Sequence, residues 1–371
     1  MFGYSDGPPT AQAQATGRLV SLLGGLIAVL LASGSLAVLE HPATASARPG
    51  LVAALPPAAP STVVTAAPAT TTLPPTTTTL PPTTTTAPPP PPAGWRVGVR
   101  TMTFVDTGRP TPPTAGDPGG PSRTLPTVIL YPTNGSPAAS PVAGAPAASR
   151  GGPFPLIVFA HGFNSSPQVY ASLLVAWAGA GYVVAAPEFP RSVAGGHPDE
   201  SDLDHQPGDV SFVISKIVGG ALPAGLVDRS RIGVAGHSDG AVTAVGVGFN
   251  TCCHDSRVLA DVVMAGDAHD FAGGSYFAKG SPPLLVLQGD QDPSNDPSLG
   301  QQLYQAAPSP KVLIMLVGGL HLQPFTTDLP HLGVVEAASI GFFDRYLKGR
   351  SDGVGRLVQA ARAPLATVTS G

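Results

Sequence analysis

From about residue 95 onward, short β-branched apolar runs alternate with longer stretches whose apolar residues recur at helical spacing. The runs Thr127–Tyr131, Leu156–Ala160, Tyr182–Ala186, Ile232–Ala235, Asp261–Ala265, Leu284–Gln288 and Val312–Leu316 are expected as strands. Helices are expected over Gln168–Ala178 and Asp209–Ile217, from Ala241 onward, and over Val334–Leu347. Strand and helix in alternation are the pattern of an α/β domain, a mainly parallel central sheet flanked by helices. In such sheets ligands bind beyond the carboxyl ends of the strands, so residues just after each run are the ones to inspect for chemistry.

The first quarter of the chain follows a different pattern. Arg18 precedes an apolar run from Leu19 to Leu39, and Ala45-Ser46-Ala47 follows, the order of an export signal cleaved after Ala47. The run also approaches the length that spans a bilayer, so an uncleaved membrane anchor is the other reading. Both put the folded part outside the cytoplasm, secreted or held on the outer face of the membrane or at the cell wall. Leu51–Gly94 carries no charged residue and repeats Thr-Thr-Thr-Thr-Leu-Pro-Pro units, a composition that cannot build a core and is expected as a disordered, extended stalk. The expected organisation is a signal or anchor over 1–47, a linker over 48–94, one catalytic domain over 95–350 and a C-terminal tail over 351–371.

Composition narrows the partners. A net charge of −4 with 11% charged residues leaves no basic stripe, so nucleic-acid binding is not expected, and a small or apolar molecule is. Cys252 and Cys253 are adjacent, which gives no disulfide framework, and they are expected as buried or partly buried thiols rather than a vicinal ring. They lack metal-ligand spacing to other Cys or His residues. The acidic run from His197 to His205 lacks the glycine and terminal glutamate of an EF-hand loop and is expected as a solvated loop. No metal and no cofactor is expected.

The chemistry centres on Gly236-His237-Ser238-Asp239-Gly240, a G-x-S-x-G pentapeptide between an expected buried strand and an expected helix. Glycine two residues either side of a serine permits a turn too sharp for a Cβ. A serine hydroxyl needs a base to take its proton and an acid to orient that base. Asp290 and Asp292 follow the Leu284–Gln288 run, and His321 follows the next one behind Gly318-Gly319, with His331 as a second histidine further on. The loop Ala160-His161-Gly162-Phe163 follows an earlier strand. Phe163 and Asp239 are candidates for the backbone N–H donors that a developing oxyanion needs. His161, Phe189, His237 and His269 are candidate substrate contacts, together with Asp267 and Phe271 after the Asp261–Ala265 run.

These segments resemble the α/β-hydrolase superfamily in its dienelactone-hydrolase-like branch, near platelet-activating-factor acetylhydrolase-like, chlorophyllase-like and bacterial polyester-hydrolase proteins. The resemblance spans about Val97 to Leu347. It is carried by R-T-L-P-T-V-I-L-Y-P-T near Tyr131, A-H-G-F at His161, D-R-S-R-I-G-V-A-G-H-S-D-G at Ser238, G-D-Q-D-P at Asp292 and G-G-L-H at His321. It implies Ser238 as nucleophile, His321 as base and Asp292 as acid, the last because relatives place the acid three residues after the glycine that Gly289 matches. It also implies hydrolysis of an ester, from a small molecule, a lipid or a polyester; an amidase or peptidase with the same triad and a non-catalytic cell-surface binding protein on the same fold are the alternatives, and the domain is expected to be monomeric. Dienelactone hydrolases themselves carry cysteine where Ser238 stands. Polyester hydrolases carry Trp and Met at His237 and Asp239 and a late disulfide that is missing here.

Overall fold

The computed structural model describes residues 94–138, 140–278 and 280–371. The segment read as signal or anchor and almost all of the segment read as stalk lie outside the described residues. Among those described, no helix is long and apolar enough to cross a membrane.

The domain opens with β1 (Arg96–Asp106) and β2 (Arg123–Thr133), an antiparallel pair in register from Arg96 opposite Thr133 to Asp106 opposite Arg123, with the two-residue β3 (Val142–Ala143) on the outer side of β1. Then follow β4 (Phe154–Ala160), α1 (Ala171–Gly179), β5 (Val183–Pro187), α2 (Gln206–Lys216), β6 (Val227–His237), α3 (Asp239–Phe249), β7 (Val258–Met264), β8 (Leu284–Gly289), α4 (Pro297–Ala306), β9 (Lys311–Leu316), α5 (Leu329–Leu347), α6 (Gly353–Ala360) and β10 (Ala366–Ser370). The sheet order is β10-β9-β8-β7-β6-β4-β5-β2-β1-β3. Strands from β5 to β9 pair in parallel through β4, and the antiparallel pairs lie toward the edges.

The period of two along each strand divides the core. In β4, Ile157 and Phe159 join Leu173 and Trp177 of α1 and Val335 and Phe342 of α5, whereas Leu156 and Val158 join Val210, Val213 and Ile214 of α2 and Val247 of α3. Helices α1, α5 and α6 therefore cover one face, and α2, α3 and α4 cover the other. Both faces are buried, which is why these strands read as unbroken apolar runs.

Three expectations are corrected. Residues after Arg350 are not a tail: α6 packs on α5, and β10 closes the sheet edge antiparallel to β9. A close approach lets α6 in, since a Cβ on Gly353 would stand 2.4 Å from the Gly341 carbonyl oxygen. The run from His197 to His205 is not simply solvated. Asp202 is buried, pairs with the fully buried Arg123 at 2.8 Å, and accepts from the Arg191 backbone N–H. Arg123 also takes Asp209 of α2 through two nitrogens, and Arg109 adds a further bond to the same carboxylate. Burial costs charges their hydration, and this cross-linked set compensates by pairing. It pins the segment after β5 from below. Lastly, Cys252 and Cys253 are joined in a vicinal disulfide in the turn after α3, with Cys252 exposed. That turn folds back through Asn250, whose side chain accepts from Cys252 N and whose carbonyl accepts from Cys253 N.

Candidate active site

At the carboxyl end of β6 the backbone reverses into α3 at Ser238, which holds φ 56° and ψ −125°. A non-glycine residue at positive φ is strained and persists only where its surroundings over-determine it. The flanking glycines make the turn possible: a Cβ on Gly236 would lie 1.9 Å from the Gly240 carbonyl oxygen, and one on Gly240 would lie 2.1 Å from that of Ala160. The Ser238 N–H donates to Met264 O of the neighbouring strand at 3.0 Å, and the Ser238 carbonyl starts α3 by accepting from Ala241 and Val242. The hydroxyl is left at a helix N-terminus, half-buried.

Two further loops bring partners to it. Ser238 Oγ lies 3.0 Å from His321 Nε2, and His321 Nδ1 lies 2.9 Å from Asp292 Oδ2. An ionised carboxylate only accepts, so Nδ1 carries the proton and Nε2 presents its lone pair to the serine hydroxyl. Asp292 is buried and richly held: Ser294 N and Asn295 N donate to Oδ1, and Gln288 Nε2 donates to Oδ2 at 3.0 Å. Burial by itself would raise its pKa, but the hydrogen bond from His321 and those from the Asn295 and Ser294 amides outweigh it and hold the carboxyl below the ordinary range. Asn295 then ties this loop to the elbow side of the sheet through Nδ2 to Ala265 O at 2.6 Å. Asp290, by contrast, accepts from Gly318 N at 2.6 Å and caps the loop that carries His321. His331 bonds Asp328 and the Val317 carbonyl, so it braces the base of that loop.

The loop after β4 stands beside the elbow. Phe163 is half-buried there, and among the described residues its N–H has no protein acceptor. Asp239 opens α3, so its N–H belongs to the first turn of the helix.

The other expected contacts are placed differently. His161 is fully buried, with Nδ1–H donating to Gly162 O at 2.8 Å and Nε2 accepting from Phe189 N at 3.2 Å. Burial keeps its ring neutral by lowering its pKa to about 4. It clamps two loops to each other. Phe189 is fully buried in the core on the α2 side, and His237 is 2% exposed with both ring nitrogens occupied, so neither offers a surface to substrate as expected. His269 bonds Asp204 at 2.9 Å and meets Phe271 edge to face, a ring that is itself buried against α3. Its contacts are with that turn and not with the three side chains above. Tyr170, Gln288 and Asn295 were missed. Gln288 had a signal, an amide ending the apolar run Leu-Leu-Val-Leu where alternation and burial both ask for carbon; Tyr170 and Asn295 had none.

A mainly parallel sheet with helices on both faces, a nucleophile-type elbow after β6 and loops after β8 and β9 meeting it define the α/β-hydrolase fold. The family model Chlorophyllase matches residues 128–287, from within β2 to within β8, so the match contains the His161–Phe163 loop and the elbow and ends before Asp292 and His321. A ferulic acid esterase from Streptomyces cinnamoneus is similar in structure, with 24% identity and a TM-score of 0.55 over 69% of this chain and 91% of that one. At that identity the likeness is one of fold. No curated protein matches the chain. The resemblance to chlorophyllase-like α/β-hydrolases read from the sequence stands.

Proposed function

We propose that this protein hydrolyses carboxylic esters through an acyl-enzyme, with Ser238, His321 and Asp292 as a catalytic triad. The observation that carries the reading is the pair of hydrogen bonds, 3.0 Å from Ser238 Oγ to His321 Nε2 and 2.9 Å from His321 Nδ1 to Asp292. As Ser238 Oγ attacks the ester carbonyl, His321 Nε2 takes its proton, and the imidazolium so formed sits against the Asp292 carboxylate, which is held in its charged form. The carbonyl oxygen becomes an oxyanion facing the Phe163 and Asp239 N–H groups, the two donors this reading assigns. Collapse expels the alcohol, which takes the proton back from His321. Water, deprotonated by the same histidine, then attacks the acyl group and releases the acid. Nothing in these steps calls for a metal or cofactor.

An ester of a small molecule, a lipid or a polyester fits the chemistry. Similarity to Chlorophyllase over residues 128–287 supports the ester class.

Substitution tests the assignment. Ser238→Ala, His321→Ala and Asp292→Asn are expected to stay folded and to lose turnover of a chromogenic ester by about three to six orders of magnitude, far from additively. Asp290→Asn, in the same loop, is expected to retain most activity, because its carboxylate caps Gly318 and touches neither Ser238 nor His321. Collapse on Asp290→Asn with survival of Asp292→Asn would reassign the acid. Amides of the same acids, assayed in parallel, separate an esterase from an amidase.

Export belongs to the same proposal and rests on Arg18, the apolar run and Ala45-Ser46-Ala47. N-terminal sequencing of protein from a secreting host is expected to begin near Arg48, or to find the full chain in the membrane. Full-length soluble protein in the cytoplasm would contradict both.

A further inference from the structure

His237, the residue before the proposed nucleophile, turns its ring away from solvent and into a cage of Tyr170, His321 and Phe325, with ring centroids 5.4, 4.8 and 5.0 Å away. Its Nε2 lies 2.7 Å from the backbone carbonyl oxygen of His321, and its Nδ1 lies 2.8 Å from the Tyr170 hydroxyl. A carbonyl only accepts, so Nε2 carries the hydrogen. Complete burial, with the neighbouring His321 adding to it, lowers the ring's pKa to about 3, so the ring holds one proton at neutral pH and Nδ1 is a lone pair. The Tyr170 hydroxyl must therefore donate to Nδ1, which leaves its oxygen to accept from Gly162 N at 3.4 Å. Every proton in the series runs one way, from Gly162 N–H to the Tyr170 hydroxyl, from that hydroxyl to Nδ1, and from Nε2–H to the His321 carbonyl.

The two ends of this series are the two places where the proposed chemistry needs accuracy. Gly162 precedes Phe163, the assigned oxyanion donor. His321 sits on an irregular loop between β9 and a short turn at Gln323–Phe325, and among the described residues His237 is the hydrogen-bond partner of its backbone carbonyl. The bonds from Gly319 and to Asp290 secure that loop two and three residues earlier, short of the histidine itself.

We propose that Tyr170 and His237 form a positioning pair that sets the His321 imidazole against Ser238 and ties the oxyanion loop to the same frame. The proposal rests on the triad reading above. Neither side chain touches substrate: Tyr170 is 1% and His237 2% exposed. They act through the backbone of the residue beside them, so that one dipeptide, His237-Ser238, carries both the nucleophile and the support of its base. A shift of about 1 Å in a base costs on the order of a hundredfold in rate, whereas binding depends on other surfaces.

Three substitutions in the full chain test this, with kcat, KM and thermal midpoint measured on one chromogenic ester. His237→Gln keeps a side-chain N–H near the position of Nε2 and so keeps the bond to the His321 carbonyl; His237→Leu removes it; Tyr170→Phe removes the hydroxyl alone. His237→Leu is expected to lower kcat by about a hundredfold with KM changed by less than about twofold, and His237→Gln to recover to within about tenfold of the parent. Tyr170→Phe is expected to lower kcat by about tenfold, again with KM held. If His237→Leu does not fold, the kcat-against-KM split in His237→Gln and Tyr170→Phe decides alone. Turnover in His237→Leu equal to the parent's would overturn the proposal, as would equal losses in Leu and Gln that track a falling thermal midpoint. Ser238→Ala measured alongside separates the two readings, since an active Ser238→Ala sinks the triad, while an inactive one beside a fully active His237→Leu sinks only the positioning pair.

Discussion

Asp261 sits inside β7 with neither carboxylate oxygen hydrogen-bonded, fully buried, in space left open by Gly248, where a Cβ would come 2.4 Å from Oδ2. Burial alone raises its pKa well above the ordinary value, so the folded protein keeps it protonated where the unfolded chain would release the proton. The folded state then binds more protons over that window, and stability is lost as pH rises from the unfolded value of 3.8 toward the folded one, by about 1.4 kcal/mol per pH unit. Asp261→Asn keeps the shape and cannot ionise. Its thermal midpoint relative to the parent is expected to rise as the pH climbs above 3.8, and a difference that stays flat would contradict the account. The buried His161 and His237 pull the other way as pH falls below about 6.5, but they are common to both proteins and cancel in the comparison. Depth of this kind was not legible beforehand. His161 and Phe189 follow strands just as Phe163 does, and nothing in their neighbours says that two of the three side chains point into the core.

At the scale of elements, what was legible was what burial makes periodic. The strands from β4 to β9 are covered on both faces and are rich in Val, Leu and Ile, and each was expected within a few residues of its observed position except β6, which starts at Val227 and not at Ile232. β7 begins at Val258, three residues before the expected start at Asp261. β1 was missed: its register partner β2 determines it more than its own Arg and Thr residues do. α4 was missed because its apolar residues are few, although Asp296 caps it and Pro297 starts it in the usual way. The last two elements were read as a tail because their stability is entirely tertiary. β10 has alternating Thr and Val with one ladder to β9, and α6 depends on the near-contact of Gly341 with Gly353, a pairing no local pattern displays. The positions of Ser238, Asp292 and His321 were legible for a different reason, since the elbow needs glycines at stated offsets and the other two follow the next strands in order.

Across the whole described molecule, the parallel sheet does the assembly. Ser238, Asp292 and His321 stand after β6, β8 and β9, separated by tens of residues, and adjacent strands bring their carboxyl ends into one row. The loop after β4, which carries the proposed oxyanion donor Phe163, lies on the other side of β6, so substrate would be met from both sides of the elbow. The buried Arg123, Asp202 and Asp209 set holds the segment after β5, and the Tyr170–His237 pair holds the loops after β4 and β9, from beneath, where water does not reach. Covalent capture reads out whether this row of side chains makes Ser238 a nucleophile. The full-length protein, treated with a fluorophosphonate and analysed by intact mass and peptide mapping, is expected to take up one phosphonyl group per chain, on Ser238, with the rate falling by about three or more orders of magnitude in His321→Ala. A chain that stays unlabelled, or an adduct on another residue with Ser238 untouched, would contradict the account.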